Sequence, residues 1–309
     1  MTTLIRTLVS AAIVSGLIFV GATTGQASTS IRIGAAFPLM SMGGLARQEY
    51  TGVTIAAEMV NKAGGVQGHR IVLVARPLDQ TAEATPVMGS LRNAGIDIVV
   101  GAYSSALSIP ASAAAAKAGL VYWEAGAVAD RLTGRGYRTV FRVGASGTNL
   151  GTNSARFAAT QLAPRLHKRA SSLRVSIVYA QDAYATSVAQ AATRQARSQH
   201  MKIVSSTSYD SYIDYWPPVM AAIRKAHPDI LILASHVPDG VSFRKAMLAG
   251  HIHVGAFIGS TMAECGPEFG AMLGPKAIGV FASDRPMGGF NPRALSGSAR
   301  ALYNRLAAA

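Results

Sequence analysis

The chain is organised around residues 31–79, which read IRIGAAFPLM (31–40), SMGGLARQEYTGVTIAAEMVNKAGGVQG (41–68) and HRIVLVARPLD (69–79). Ile31, Ile33 and Ala35 open an apolar strand that stops at Pro38. Val53, Ala56, Ala57 and Val60 then recur at helical spacing, which predicts an amphipathic helix. Gly64 and Gly65 close it, since glycine tolerates the left-handed backbone that a helix end requires. Residues 71–75 read as a second buried strand. Strand, helix and strand with short connections make a βαβ unit, whose right-handed crossover builds a parallel sheet.

The alternation continues outward from this unit. Residues 84–93 predict a short helix, 96–101 a buried strand and 111–117 an Ala-rich helix ending at Gly119, with strands at 120–123 and 139–143. A second series follows, with strands at 174–179, 202–207, 229–234 and 254–259 and helices at 187–199, 219–226 and 241–249. The chain has 309 residues, 50% hydrophobic and 14% charged, enough for two α/β domains.

Residues 1–27 read as a cleaved secretory signal peptide: Arg6 is the positive start, 8–20 are apolar, and Gly25, Gln26 and Ala27 are suited to a cut after Ala27. The apolar run is short for a membrane span, so the mature chain is expected to be exported and not membrane-embedded. The net charge of +14 raises the question of nucleic acid, but the densest basic cluster (Arg165, His167, Lys168, Arg169, Arg174) lacks interleaved aromatics and reads as a solvated face. Cys265 is the single cysteine, which excludes an internal disulfide and a cysteine metal site.

The opening IRIGAAFPL, a loop with Gly43 and Gly44, then Gly52, Ala56, Asn61 and Gly64-Gly65-Val66-x-Gly68 resemble the amino-terminal lobe of bacterial type I periplasmic solute-binding proteins. The branch they are most similar to is the branched-chain amino-acid-binding family of ABC importers. The resemblance implies an α/β fold of two lobes, each a doubly wound, mainly parallel sheet with helices on both faces, joined by a hinge. It places the signal peptide at 1–27, the N-terminal lobe at 28–146, the C-terminal lobe at 147–261 and a return segment to the first lobe at 262–309, with crossings at 144–151 and 261–263. The family continues for several further elements, so the chain reads as C-terminally shortened.

The resemblance also implies a function and a site. The protein would capture a small polar ligand, a branched-chain or other amino acid, by hinge closure in the periplasm, and deliver it to an inner-membrane ABC permease without a cofactor. Ser105, with Ser104 beside it at a helix start, matches the serine that holds the ligand carboxylate; the bare motif is equally a helix cap. Gly126 matches a carbonyl that receives the ligand ammonium, whereas Val128 stands where relatives carry a threonine hydroxyl. Glu124, at the end of a strand, either contacts a cationic ligand group or is an exposed loop charge. Tyr184 matches an aromatic that covers the ligand, and Pro238-Asp239 matches a Pro-Glu pair whose carboxylate takes the ammonium. Leu45 replaces a cleft aromatic, and Tyr215 or Trp216 keeps one on the opposite wall. Taken alone, Tyr184 is also compatible with helix-start packing and Asp239 with an N-cap. Ser105, Gly126, Tyr184 and Asp239 all follow parallel strands, on the rim where open α/β sheets bind ligands.

Two alternatives stay open at this level. One is a ligand that is not an amino acid (an amide, urea or a small carboxylate) in the same fold. The other is a dehydrogenase-like enzyme using the Gly-rich residues 144–151, GASGTNLG; against it, the loop lies mid-chain and no Tyr-x-x-x-Lys pair exists. No Gly-x-Ser-x-Gly elbow, P-loop or His-Glu-x-x-His helix is present, and His251-x-His253, two imidazoles on one strand face, reads as a surface pair.

Overall fold

The computed structural model describes residues 30–41, 43–260, 262–264, 266–283 and 301. The expected signal peptide, Thr261, Cys265 and, apart from residue 301, the final helix lie outside them. The first sheet contains β1 (Ile31–Phe37), β2 (Ile71–Pro77), β3 (Ile98–Gly101), β4 (Val121–Glu124) and β5 (Val140–Arg142) in the order β2-β1-β3-β4-β5, all parallel. α1 (Gly43–Lys62) covers one face, where Tyr50 meets Phe37 at 5.7 Å between ring centroids. α2 (Ala84–Asn93) and α3 (Ser105–Lys117) cover the other, with Leu91 against Gly34. The sheet is therefore doubly wound, with the order reversing between β1 and β3.

The second sheet repeats this topology. β6 (Arg174–Ala180), β7 (Lys202–Tyr209), β8 (Ile230–Ala234), β9 (Ala256–Gly259) and β10 (Val280–Ala282) are ordered β10-β9-β8-β6-β7, so its reversal falls between β6 and β8. α4 (Gly147–Phe157) continues through a π-turn (Ala158–Leu162) into the short α5 (Ala163–Arg165), and α6 (Ala183–Ser198), α7 (Pro217–Ala226), α8 (Val237–Ala249) and α9 (Pro267–Leu273) complete the helices. β8 is buried along its whole length, as a central parallel strand covered on both faces must be.

Three expectations are corrected here. Residues 277–282 do not return to the first sheet: β10 pairs with β9, and Arg244 of α8 donates to the Lys276 carbonyl at 3.0 Å. A fifth strand completes the repeat of the first sheet's order, so the return crossing is not at 261–263. Gly43 and Gly44 belong to the start of α1 rather than to a loop. His251 and His253 are exposed in the turn before β9, not on a strand.

Residues 144–151 serve helix packing. Ser146 caps α4 by accepting from the Asn149 amide at 3.0 Å, and the next turns lie directly on α6. A Cβ on Gly151 would sit 2.2 Å from the Val188 carbonyl oxygen and 2.6 Å from the Ala192 nitrogen. Gly147 and Gly151 are thus accounted for by close contact with α6, and Gly144 by the Ala125 carbonyl oxygen 2.7 Å from where its Cβ would sit. Gly151→Ala is expected to destabilise the fold by about 1–3 kcal/mol in urea denaturation, the cost of forcing a methyl into a closed contact. Gly89→Ala, in α2 with open space around the new Cβ, is expected instead to stabilise by about 0.5–1 kcal/mol. Equal effects would contradict this reading of the α4–α6 contact.

Candidate ligand-binding site

Parallel strands all end on one edge, and at the reversal of strand order two neighbouring connections leave in opposite directions, opening a crevice. In the first sheet this edge carries residues 38–41 after β1 and 102–105 after β3. Asp79 fixes the former, accepting from the Met40 and Ser41 amides at 2.9 and 2.7 Å. In the second sheet the edge carries Gln181 and Asp182 after β6, and Ser235 and His236 after β8.

Glu124 governs the first crevice. Its side chain is completely buried and takes six donors. Oε1 accepts from the amides of Tyr103 (3.2 Å), Gly126 (2.9 Å) and Ala127 (2.9 Å). Oε2 accepts from the Ala102 amide (2.8 Å), the Tyr122 hydroxyl (3.1 Å) and, by a short bond, the Ser108 hydroxyl. Burial raises the Glu124 carboxyl pKa, opposed by these donors. The expectation of an exposed loop charge is corrected: Glu124 is buried, and both its oxygens are engaged by the protein. It ties the β3–α3 connection to the β4 loop and holds Tyr103 at φ +71°, a left-handed conformation costly for a bulky residue.

With that scaffold fixed, the expected residues take definite places. Ser104 is the N-cap residue of α3 but makes no side-chain capping bond. Ser105 is buried, and its Oγ accepts from the Ala129 amide at 3.1 Å, which leaves the hydroxyl proton to donate. Gly126 lies against Glu49, whose Oε2 is 2.3 Å from where a Cβ would sit. Val128 spends its carbonyl on the Gly147 amide (2.6 Å) and Arg142 Nη1 (3.1 Å), and its side chain packs on the second lobe's core. Nearby, Ser187 of α6 accepts from the Asp130 amide at 3.0 Å. The loop 126–130 therefore joins the two lobes as well as edging the first crevice.

The second crevice is acidic. Asp239 is buried in the first turn of α8; its Oδ2 accepts from the Tyr209 hydroxyl at 2.5 Å and its Oδ1 from the His236 amide at 3.1 Å. It is thus an N-cap partner as well as an edge carboxylate. Tyr184 donates to the Ser235 carbonyl at 2.9 Å and meets the His236 ring edge-on at 5.2 Å. Asp182 caps α6 through Oδ1, and both burial and nearby Asp239 raise its pKa against the pull of His236. Beside it opens a cavity of about 420 Å³ lined by Tyr179, Gln181, Asp182, Ala183, Thr186 and Ser208. Trp216 is a correction: it is buried between Tyr209 and Phe243, at 4.9 and 5.4 Å between ring centroids, and donates to Ser242 at 2.8 Å. It belongs to the core, while Tyr215 is the exposed aromatic of that loop.

One acidic residue of this edge carried no sequence signal. Glu264 is buried beneath α8; Oε1 accepts from Ser235 Oγ at 3.2 Å, and Oε2 has no hydrogen-bond partner. Burial, without a neighbouring cation, pushes its pKa to about 8. No group of three or more metal-ligating side chains able to hold a metal ion occurs among the described residues. None of their helices is long and apolar enough to cross a membrane.

Two substitutions check this electrostatic arrangement. Glu124→Gln turns an amide donor toward three donors and is expected to cost about 3 kcal/mol in urea denaturation. Glu264 is protonated more tightly in the folded chain than at the ordinary value near 4.3, so its stabilising contribution is complete below about pH 4 and lost as pH rises through about 8. The stability of Glu264→Gln relative to the parent is therefore expected to grow by up to roughly 4 kcal/mol between about pH 5 and 8. A difference that does not change with pH would show that Glu264 ionises normally.

Comparison with known proteins accords with this geometry. A family model described as periplasmic binding protein matches residues 30–308. The Leu/Ile/Val-binding protein homolog 8 of Brucella abortus (strain 2308) is 28% identical over 292 residues, covering 91% of this chain and 72% of the relative. A branched-chain amino acid transporter substrate-binding protein of Streptococcus pneumoniae, solved with isoleucine, superposes with a TM-score of 0.73 at 20% identity, over 91% of this chain and 77% of that one. An ABC transporter substrate-binding protein of Desulfitobacterium hafniense, solved with leucine, gives a TM-score of 0.69 at 25% identity, over 90% and 76%. With the match running through both doubly wound sheets, the chain belongs to the periplasmic binding protein family.

Proposed function

We propose that this protein is the substrate-binding component of an ABC importer and that its ligand is an α-amino acid with a branched aliphatic side chain. One observation carries the reading: the two crevices offer opposite chemistry. The first presents a hydroxyl proton at the amino end of a 13-residue helix, Ser105 on α3, which suits a carboxylate. The second presents the carboxylates of Asp182 and Asp239, which suit an ammonium. A zwitterion held across the two would draw the lobes together, so ligand capture and hinge closure are one event. Relatives described as Leu/Ile/Val-binding homologues, and neighbours solved with isoleucine or leucine, support the choice of ligand.

The division of roles follows. Ser105, with the Ser104 turn, receives the carboxylate; Gly126 lends backbone on the same side; Tyr184 and Asp239 line the opposite side. Glu124 and Trp216 position these groups from within, and Val128 links the lobes. The lobes run from 28 to about 146 and from about 147 through β10, with 144–151 as the first crossing. The chain binds without turnover, uses no cofactor, acts in the periplasm after removal of residues 1–27, and hands its ligand to an inner-membrane permease.

Calorimetry and thermal melts with L-leucine, L-isoleucine and L-valine test this. Leucine at a hundredfold excess over Kd is expected to stabilise the native state by about 2.7 kcal/mol. Ser105→Ala is expected to weaken binding by about 1.5–3 kcal/mol, the worth of a hydrogen bond to a charged group. An unchanged affinity in a folded Ser105→Ala protein would remove Ser105 from the site.

A further inference from the structure

The second crevice already contains a side chain that becomes a cation when it takes up a proton. His236, between β8 and α8, lies between two carboxylates: Nε2 is 3.4 Å from Asp182 Oδ2 and Nδ1 is 3.7 Å from Asp239 Oδ1. Asp182 Oδ2 is buried and makes no hydrogen bond of its own. Each Asp239 oxygen accepts one bond from the protein, Oδ2 from the Tyr209 hydroxyl and Oδ1 from the His236 amide. The Tyr184 ring closes one side of the imidazole, whose side chain remains about one-third exposed. Other titratable groups facing this cluster among the described residues include Tyr209, whose hydroxyl is bound to Asp239 and whose pKa burial and that carboxylate raise, and Glu264, which acts on Asp239 through space.

We infer that His236 is the specificity-determining residue of the second crevice, an internal counter-cation that a ligand ammonium must displace from Asp182 and Asp239. This rests on the amino-acid reading above. Two carboxylates and one imidazolium leave a single net negative charge. An arriving ammonium takes over the imidazolium's ion pairing, and the ring gives its proton to solvent. Charge is conserved: one cation enters the crevice and one proton leaves. A ligand without an ammonium has nothing to exchange for that proton and leaves the His–Asp pairs in place. Desolvation lowers the free-state pKa of His236, but Asp239 and Asp182 outweigh it and the net shift is upward. The bound ammonium opposes that upward shift. Between the bound-state and free-state values the proton is released on binding, so affinity for an α-amino acid rises with pH in that interval.

The experiment is calorimetry of the full chain with L-leucine at about pH 6, 7 and 8, in buffers of different ionisation heat, with 4-methylvalerate as the ligand lacking an ammonium. Expected are release of up to about one proton and an affinity gain of about tenfold across the interval for leucine, with neither for the acid. His236→Gln is expected to abolish proton release and to bind leucine more tightly than the parent at about pH 6, and Asp182→Asn to move the interval to lower pH. Leucine binding without proton release, with falling affinity as pH rises, or with the same proton release in His236→Gln would overturn the inference. Should His236→Gln fail to fold, the proton count of the unmodified chain decides by itself. If none of leucine, isoleucine and valine binds at any pH, the amino-acid reading fails first, an outcome distinct from leucine binding that is indifferent to pH.

Discussion

The first lobe depends on one buried carboxylate. Glu124 sits opposite Arg142 of β5, whose charge it feels, and six donors converge on it from β4, from α3 and from the connections after β3 and β4. A carboxylate in such a place is tolerable only if its lone pairs are satisfied, because an unpaired buried charge costs several kcal/mol. That requirement constrains the backbone around it: Tyr103 must stay left-handed, and the amides of Gly126 and Ala127 must point inward. Ser105 and Ala129 then meet, and the 126–130 loop reaches α4 and α6 of the other lobe. Rigidity at this edge lets a hydroxyl and a helix end wait in position for a ligand.

The second lobe solves the same problem with more charge and less certainty of protonation. Asp182, Asp239, His236 and Glu264 share one crevice, and the proton affinities of Asp182, His236 and Glu264 are shifted by burial and by the charges beside them. Titratable clusters of this kind concentrate where ligands bind. The two edges differ accordingly. One is organised by a carboxylate, Glu124, whose oxygens are both engaged by donors; the other holds an Asp182 oxygen without a hydrogen bond and a histidine with access to solvent.

Much of the architecture was legible in the residues. Alternating apolar runs and helical spacing located nearly every strand, and Gly64 and Gly65 do adopt positive φ at the end of α1. Apolar periodicity places the starts of α3, α6 and α8 several residues later than they fall. Their first turns hold Ser105, Tyr184 and Pro238, residues that apolar periodicity passes over but that caps and the free first turn accommodate. The short β10, Val280–Ala282, is apolar in sequence, but its pairing with β9 is set by packing over long range, which local pattern does not encode. The site divides likewise. Ser105 and Asp239 stand at strand ends that pattern could locate. The buried acceptor role of Glu124, the core position of Trp216 and the presence of Glu264 depend on which groups surround each side chain, and no local spacing encodes that.

The central claim is that the two crevices grip one ligand together. Hydrogen exchange with and without saturating L-leucine tests it most directly, because every amide on both edges reports separately. The account expects slowed exchange at residues 102–105 and 126–129 of the first lobe and, at the same time, at residues 183–185 and 236–240 of the second. Protection confined to one lobe, or absent from both while leucine is bound, would contradict it.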